Sequence, residues 1–188
     1  FTLKYKVYSF EHSVRTNFLD TEYGFINPPS LFLYPEGYLE NKVEISYETN
    51  SHFKYIYSSL DKKENLLIAA NFDELYDSPI QFSNKDSYNF ESGDCQHEVL
   101  IEGDIPPQIR ANLLSDLKKI TDYESKLFGI NPNKYYLFII NLTDNNYGGL
   151  EHAASSVNAF DPIKNKKKSE YTKLLGLLAH EYFHLWNV

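Results

Sequence analysis

Residues 180–188 read His180-Glu181-Tyr182-Phe183-His184-Leu185-Trp186-Asn187-Val188. The pattern His-Glu-x-x-His acquires meaning on a helix. Four positions apart, His180 and His184 project from one helical face, one turn from each other. Both imidazoles then reach a single Zn²⁺ at ~2.0–2.1 Å. Glu181 falls beside the ion, where a carboxylate can take a proton from the attacking water. A catalytic zinc ion is ordinarily held by three protein ligands and a water. This stretch supplies two, so the expectation is a metal-dependent hydrolase with part of its ligand set elsewhere.

The helix that carries the motif is predicted to begin near Ser169, a favourable N-cap. Tyr171, Leu174, Leu175, Leu178, Tyr182 and Leu185 line one side of it. The two histidines fall at the margin of that apolar side, where a cleft opens. Upstream, Tyr147-Gly148-Gly149-Leu150-Glu151-His152 follows a polar turn at Asp144-Asn145-Asn146. It reads as an edge strand whose glycines let a peptide backbone approach closely. An extended substrate adds to such an edge through main-chain hydrogen bonds. Glu151 would then meet a positively charged amino terminus. Before it, the continuous apolar run Tyr135 to Ile140 reads as a strand buried on both faces.

Gly103-Asp104-Ile105-Pro106-Pro107 opens an earlier helix, with proline in the first turn. Its stripe is Ile109, Leu113, Leu117, Ile120 and Leu127, and Gly129 stands where a cap glycine belongs. A strand pair is expected around Gly93-Asp94, running on through His97 to Ile101. Residues 1 to about 78 are β-rich. Phe1, Leu3, Tyr5 and Val7 alternate as a strand does, as do Val43, Ile45 and Tyr47, and Phe53, Tyr55 and Tyr57. Leu66 to Ala70 is a shorter apolar run, and Asp61 to Asn65 reads as a turn. The expected organisation is α+β: an antiparallel β domain over 1–78, then a second unit over 79–188.

Composition narrows the function further. The chain has 188 residues, 42% hydrophobic and 16% aromatic, enough for a packed core. A net charge of −8 argues against a nucleic-acid partner, which would want a basic face. The basic run Lys164 to Lys168 reads as a solvated loop. No stretch approaches ~20 continuous apolar residues, so no membrane span is expected. Cys95 is the single cysteine. It precludes an internal disulfide and fits a reducing compartment such as the cytoplasm. His12, His52 and His97 have no ligand spacing to one another and read as structural. Arg15 reads as a salt-bridge partner. The absence of methionine marks Phe1 as an internal residue of a longer protein.

The run Gly148 to His152 with Ala153-Ala154-Ser155-Ser156, together with His180 to Val188, resembles the glycyl aminopeptidase family of zinc metallopeptidases. These are gluzincins with a thermolysin-like catalytic domain. Ser13 to Thr16, Gly24 to Asn27 and Asp73 to Ile80 resemble the amino-terminal domain of that family, so the likeness covers nearly the whole chain. The resemblance implies the first part of a thermolysin-like zincin domain over 79–188. It implies His180 and His184 as Zn²⁺ ligands and Glu181 as general base. Gly148, Gly149 and Leu150 would form the substrate-pairing strand, and Glu151 would bind the substrate's free α-amine. His152 stands where more distant relatives carry Asn. The third ligand in that family is a glutamate downstream of the second histidine, and the tyrosine that stabilises the transition state also lies beyond Val188. Members often carry a PDZ domain toward the carboxyl end. The implied activity is removal of amino-terminal Gly or Ala from peptides. An endopeptidase of the same architecture and a non-catalytic peptide-binding protein are the competing readings. These 188 residues alone are expected to bind zinc weakly and to turn over negligibly.

Overall fold

In the computed structural model, residues 2–49, 52–161 and 168–187 are described. The amino-terminal part contains β1 (Phe18–Leu19), β2 (Tyr23–Ile26), β3 (Val43–Ser46), β4 (Tyr55–Tyr57), β5 (Asp61–Lys63), β6 (Leu66–Ala69), the short helix α1 (Phe72–Tyr76) and β7 (Ile80–Ser83). These strands form two antiparallel sheets, ordered β1-β2-β7-β4 and β3-β6-β5. An apolar core of Leu60, Leu67, Ala69, Leu75 and Ile80 draws on both sheets and on α1. The four-stranded sheet extends to Ser83, because β7 pairs with both β2 and β4.

The rest of the chain adds β8 (Tyr88–Ser92), β9 (Cys95–Glu102), α2 (Pro107–Phe128), β10 (Tyr135–Leu142), β11 (Tyr147–His152), β12 (Ser155–Phe160) and α3 (Lys168–Phe183). Its five strands form one mixed sheet, ordered β11-β12-β10-β9-β8. β10 runs parallel to both β9 and β12, while β8 and β11 are antiparallel edges. The hairpin between β8 and β9 turns on Gly93 and Asp94, both at positive φ (57° and 59°). Two such residues are what a tight two-residue hairpin demands.

Alternation along the strands sorts side chains to two faces. Ile101, Tyr136, Phe138 and Ile140 pack under the helices, against Leu113, Leu117, Leu174, Leu178 and Tyr182. Leu100, Leu137, Ile139, Val157 and Ala159 face the other way, onto Val14, Phe18, Tyr23, Phe25 and Tyr57. The mixed sheet is therefore sandwiched between the helices and the amino-terminal four-stranded sheet. This is an α+β architecture with an antiparallel β unit at its amino-terminal end.

Four expectations need correction. Residues 2–9 form no strand, and Leu3, Tyr5, Val7 and Tyr8 are exposed. Asp61–Lys63 is strand β5 rather than a turn, and the chain reverses at Glu64, where φ is 54°. Leu127 is exposed on α2, and Thr121, Glu124 and Ser125 take the buried positions of the last turns. Helix α3 ends at Phe183, so His184 lies in the terminal turn. Ser169, expected as the N-cap, lies inside α3, whose described residues begin at Lys168, and Lys164 to Lys167 lie outside the described residues. Among the described residues, no helix is long and apolar enough to cross a membrane.

Candidate metal centre

Helix α3 is fixed in rotation by its buried side. Leu174, Leu178 and Tyr182 are fully buried beneath it. The Tyr182 hydroxyl lies 2.9 Å from His97 Nε2 and accepts from Asn131 Nδ2 at 2.6 Å. A long aromatic side chain anchored by polar contacts at its tip leaves the helix little freedom to roll. His97, on β9, is thus a support for the helix, in keeping with its structural reading. The motif residues either side of Tyr182 are then presented toward β11.

His180 is exposed and His184 is half-buried. Their Nε2 atoms are 3.3 Å apart. Two ligand atoms at ~2.0–2.1 Å from one tetrahedral ion would be about 3.3–3.4 Å apart, so the pair fits a shared zinc ion. His184 Nδ1 faces the Asn187 carbonyl at 2.8 Å. A carbonyl only accepts, so Nδ1 carries the proton and Nε2 offers its lone pair. This outer contact is the usual way a protein orients a metal-binding imidazole. Glu151, Glu181 and His184 also place one ligand atom each within 4.8 Å of one another. The donor set, imidazole nitrogen with carboxylate oxygen, suits zinc.

Glu181 is 5% exposed. Its carboxylate lies against Gly149 of β11, and a Cβ at that position would collide with Glu181 Oε1, Cδ and Cγ. Burial pushes the Glu181 carboxyl above the usual carboxylate range, and Glu151 adds to the rise. His180, His184 and Arg15 pull it back down. A carboxylate held so accepts a proton more readily near neutral pH.

β11 is an edge strand, hydrogen-bonded among the described residues to the strand β12 only. Gly149 and Glu151 share the face toward α3. Leu150, on the other face, packs with the core that joins the sheet to the amino-terminal unit. His152 lies on Leu150's side by alternation. Its Nδ1 is 3.0 Å from Asp77 Oδ1, at the end of α1. Of the residues singled out in the sequence, His180, Glu181, His184, Glu151 and Gly149 converge. Gly148 meets open space. Leu150 and His152 turn their side chains away. Asp77 was missed as a neighbour of this strand. It is 75 residues from His152, and no spacing rule signals such a contact.

Residues 1–84 match the family model described as the Peptidase M61 N-terminal domain. Among solved structures, the chain is similar to an aminopeptidase N family protein from Idiomarina loihiensis. That likeness has 27% identity and a TM-score of 0.87, over 96% of this chain and 33% of the other. It is also similar to Legionella pneumophila aminopeptidase A, solved in complex with aspartic acid. There the identity is 12% and the TM-score 0.60, over 92% of this chain and 23% of the other, and the likeness is one of fold. No curated protein matches the chain. The chain spans about a third of the first structure and less than a quarter of the second.

Proposed function

We propose that this chain is part of a zinc-dependent aminopeptidase with a thermolysin-like catalytic domain, acting on peptides that begin with Gly or Ala. The M61 amino-terminal domain and the two aminopeptidase likenesses support a peptidase-related protein. The observation that carries the reading is local. The two Nε2 atoms of His180 and His184 stand 3.3 Å apart, and the Glu181 and Glu151 carboxylates lie within 4.8 Å of the His184 imidazole and of each other.

In this reading His180 and His184 are two of the protein ligands that hold the ion. Zinc bound there would supply Lewis acidity, acidifying water and polarising the scissile carbonyl. Glu181 takes the proton of the attacking water and hands it to the departing amine. Its confinement against Gly149 aims the carboxylate before substrate arrives. The free edge of β11, at Gly148 to Leu150, pairs with the extended substrate backbone. Glu151 receives the substrate's α-ammonium group, which limits cleavage to the first residue. His152 acts behind the strand.

The test is hydrolysis of glycyl-p-nitroanilide by the full-length protein with added zinc, beside its Glu181→Gln variant. Zinc-dependent turnover reduced ~10²–10⁴-fold in the variant is expected for a lost general base. Turnover that survives the substitution contradicts the role of Glu181. Preferential cleavage of amino-blocked peptides would favour an endopeptidase, and zinc binding without turnover a peptide-binding protein.

A further inference from the structure

Asp77 lies at the carboxyl end of α1, in the amino-terminal β unit. Its carboxylate crosses to the turn that follows β11. Oδ1 accepts from His152 Nδ1 at 3.0 Å, and Oδ2 accepts from the Ala153 backbone N–H at 2.7 Å. A carboxylate cannot donate, so the His152 proton is on Nδ1. The His152 side chain is 6% exposed, and its Nε2 is buried without a partner among the described residues. Among the described residues, Asp77 supplies the hydrogen bond that orients this imidazole.

The place is mechanically sensitive. Among the described residues, β11 pairs with a strand on one side only. Edge strands of this kind are free to shift unless their ends are tied. The turn is tied from within the catalytic unit by Asn133 Nδ2, which donates to the Ala153 carbonyl, and by Leu137 N, which donates to the Ala154 carbonyl. Asp77 supplies the tie from outside it. Glu151 is one residue from His152 and two from Ala153, on the opposite face. Any shift of the turn moves the Glu151 carboxylate with it. Recognition sites need their groups held to within roughly 0.5 Å.

We propose that Asp77 is a positioning residue for Glu151: from the amino-terminal β unit it clamps the end of the free edge strand and so sets where the substrate's amino group is held. This rests on the aminopeptidase reading above. It gives the amino-terminal unit a part in substrate recognition beyond covering the back of the sheet. His152 is the lever, because its imidazole and the Ala153 N–H are gripped by the two oxygens of one carboxylate.

The test uses the full-length protein and its Asp77→Asn and Asp77→Ala variants, with two readouts. The first is amide hydrogen exchange, which needs no activity. Exchange in β11 and its following turn should quicken by roughly tenfold or more in both variants, while α3 and β10 stay protected. The second is the split between KM and kcat on glycyl-p-nitroanilide. KM should rise ~10-fold with kcat within ~3-fold, since the lost term is amine binding. Unchanged exchange in β11, or uniform quickening along the chain, overturns the clamp. A fall in kcat at constant KM reduces Asp77 to a stability role and overturns the proposal. Absence of turnover in the unaltered protein, with exchange responding as expected, would instead count against the aminopeptidase reading and against the substrate half of the proposal.

Discussion

At the residue scale, Gly149 and Glu181 form one unit. Gly149 is ordinary strand backbone, so alanine meets no conformational penalty there. What it meets is the Glu181 carboxylate. Gly149→Ala should therefore displace Glu181 and leave the fold largely intact. A misplacement of about 1 Å can cost on the order of 10²-fold in rate. We expect a loss of that order in peptide hydrolysis by the full-length protein, with the thermal midpoint lowered by only a few degrees. Gly148→Ala, facing open space, is the control for Glu181 placement and should leave the thermal midpoint unchanged. The sequence displays His180, Glu181 and His184 because their relation is local and fixed by helical period. It displays the glycine pair but not which glycine is needed, or for what. That depends on a side chain 32 positions downstream, and only packing reveals it.

At the element scale, α3 is held by what lies under it. Removing the Tyr182 hydroxyl would leave the buried His97 Nε2 without its partner and cost Asn131 Nδ2 one of its two acceptors. Tyr182→Phe should cost about 1–3 kcal/mol of stability, the penalty for stranding buried polar groups. Chemical denaturation checks this, with an unchanged m-value expected. The helices and the central strand β10 are legible in the sequence, because their apolar periods are long. The discrepancies sit where tertiary neighbours override the local pattern. Leu113 and Leu117 continue the α2 stripe as predicted, yet its last turns bury Thr121 and Ser125 in place of Leu127. There the helix meets polar neighbours: Ser92 is hydrogen-bonded to Thr121, and Asn131 to Ser125. Asp61–Lys63 has no apolar face of its own and is a strand only through pairing with β6. Residues 2–9 have the alternation of a strand, but alternation without an adjacent sheet edge makes none. Leu19 N bonds Ser9 O there, and the side chains of Leu3, Tyr5 and Tyr8 stay exposed.

At the scale of the whole molecule, two buried ionisable groups give stability opposite pH dependences. Burial pushes His97 down to about 4. Its folded pKa lies below the unfolded value near 6.5, so its stabilising effect is present above pH 6.5 and lost as pH falls toward 4. Burial pushes Glu124 up to about 7, with Oε2 finding no hydrogen-bond partner among the described residues. Its folded pKa lies above the unfolded value near 4.5, so stability is lost as pH rises from 4.5 through 7. Between about pH 4.5 and 6.5 the two slopes oppose each other. Glu124→Gln removes one of them. The variant should gain up to about 3 kcal/mol at pH 8 relative to pH 4 and show an uncompensated decline on acidification through pH 6.5. Thermal melts across pH 4–8 test this, and parallel curves for the two proteins would contradict it. The three-layer plan was only partly legible. The β-rich start and the alternating strands and helices could be read from the chain. That the first unit's sheet packs against the back of the second's could not, because Val14, Phe18 and Phe25 look alike whether they face their own sheet or another.

The central claim is that His180 and His184 share a metal ion, and zinc titration of this chain tests it most directly. A chromophoric chelator would compete with the protein, and the His180→Ala and His184→Ala variants would run alongside. The account predicts one zinc ion per chain. Its affinity should be well below that of a complete three-ligand site, and binding should be lost in each variant. Zinc binding that persists when either histidine is replaced, or no binding by the unaltered chain at millimolar zinc, would contradict it.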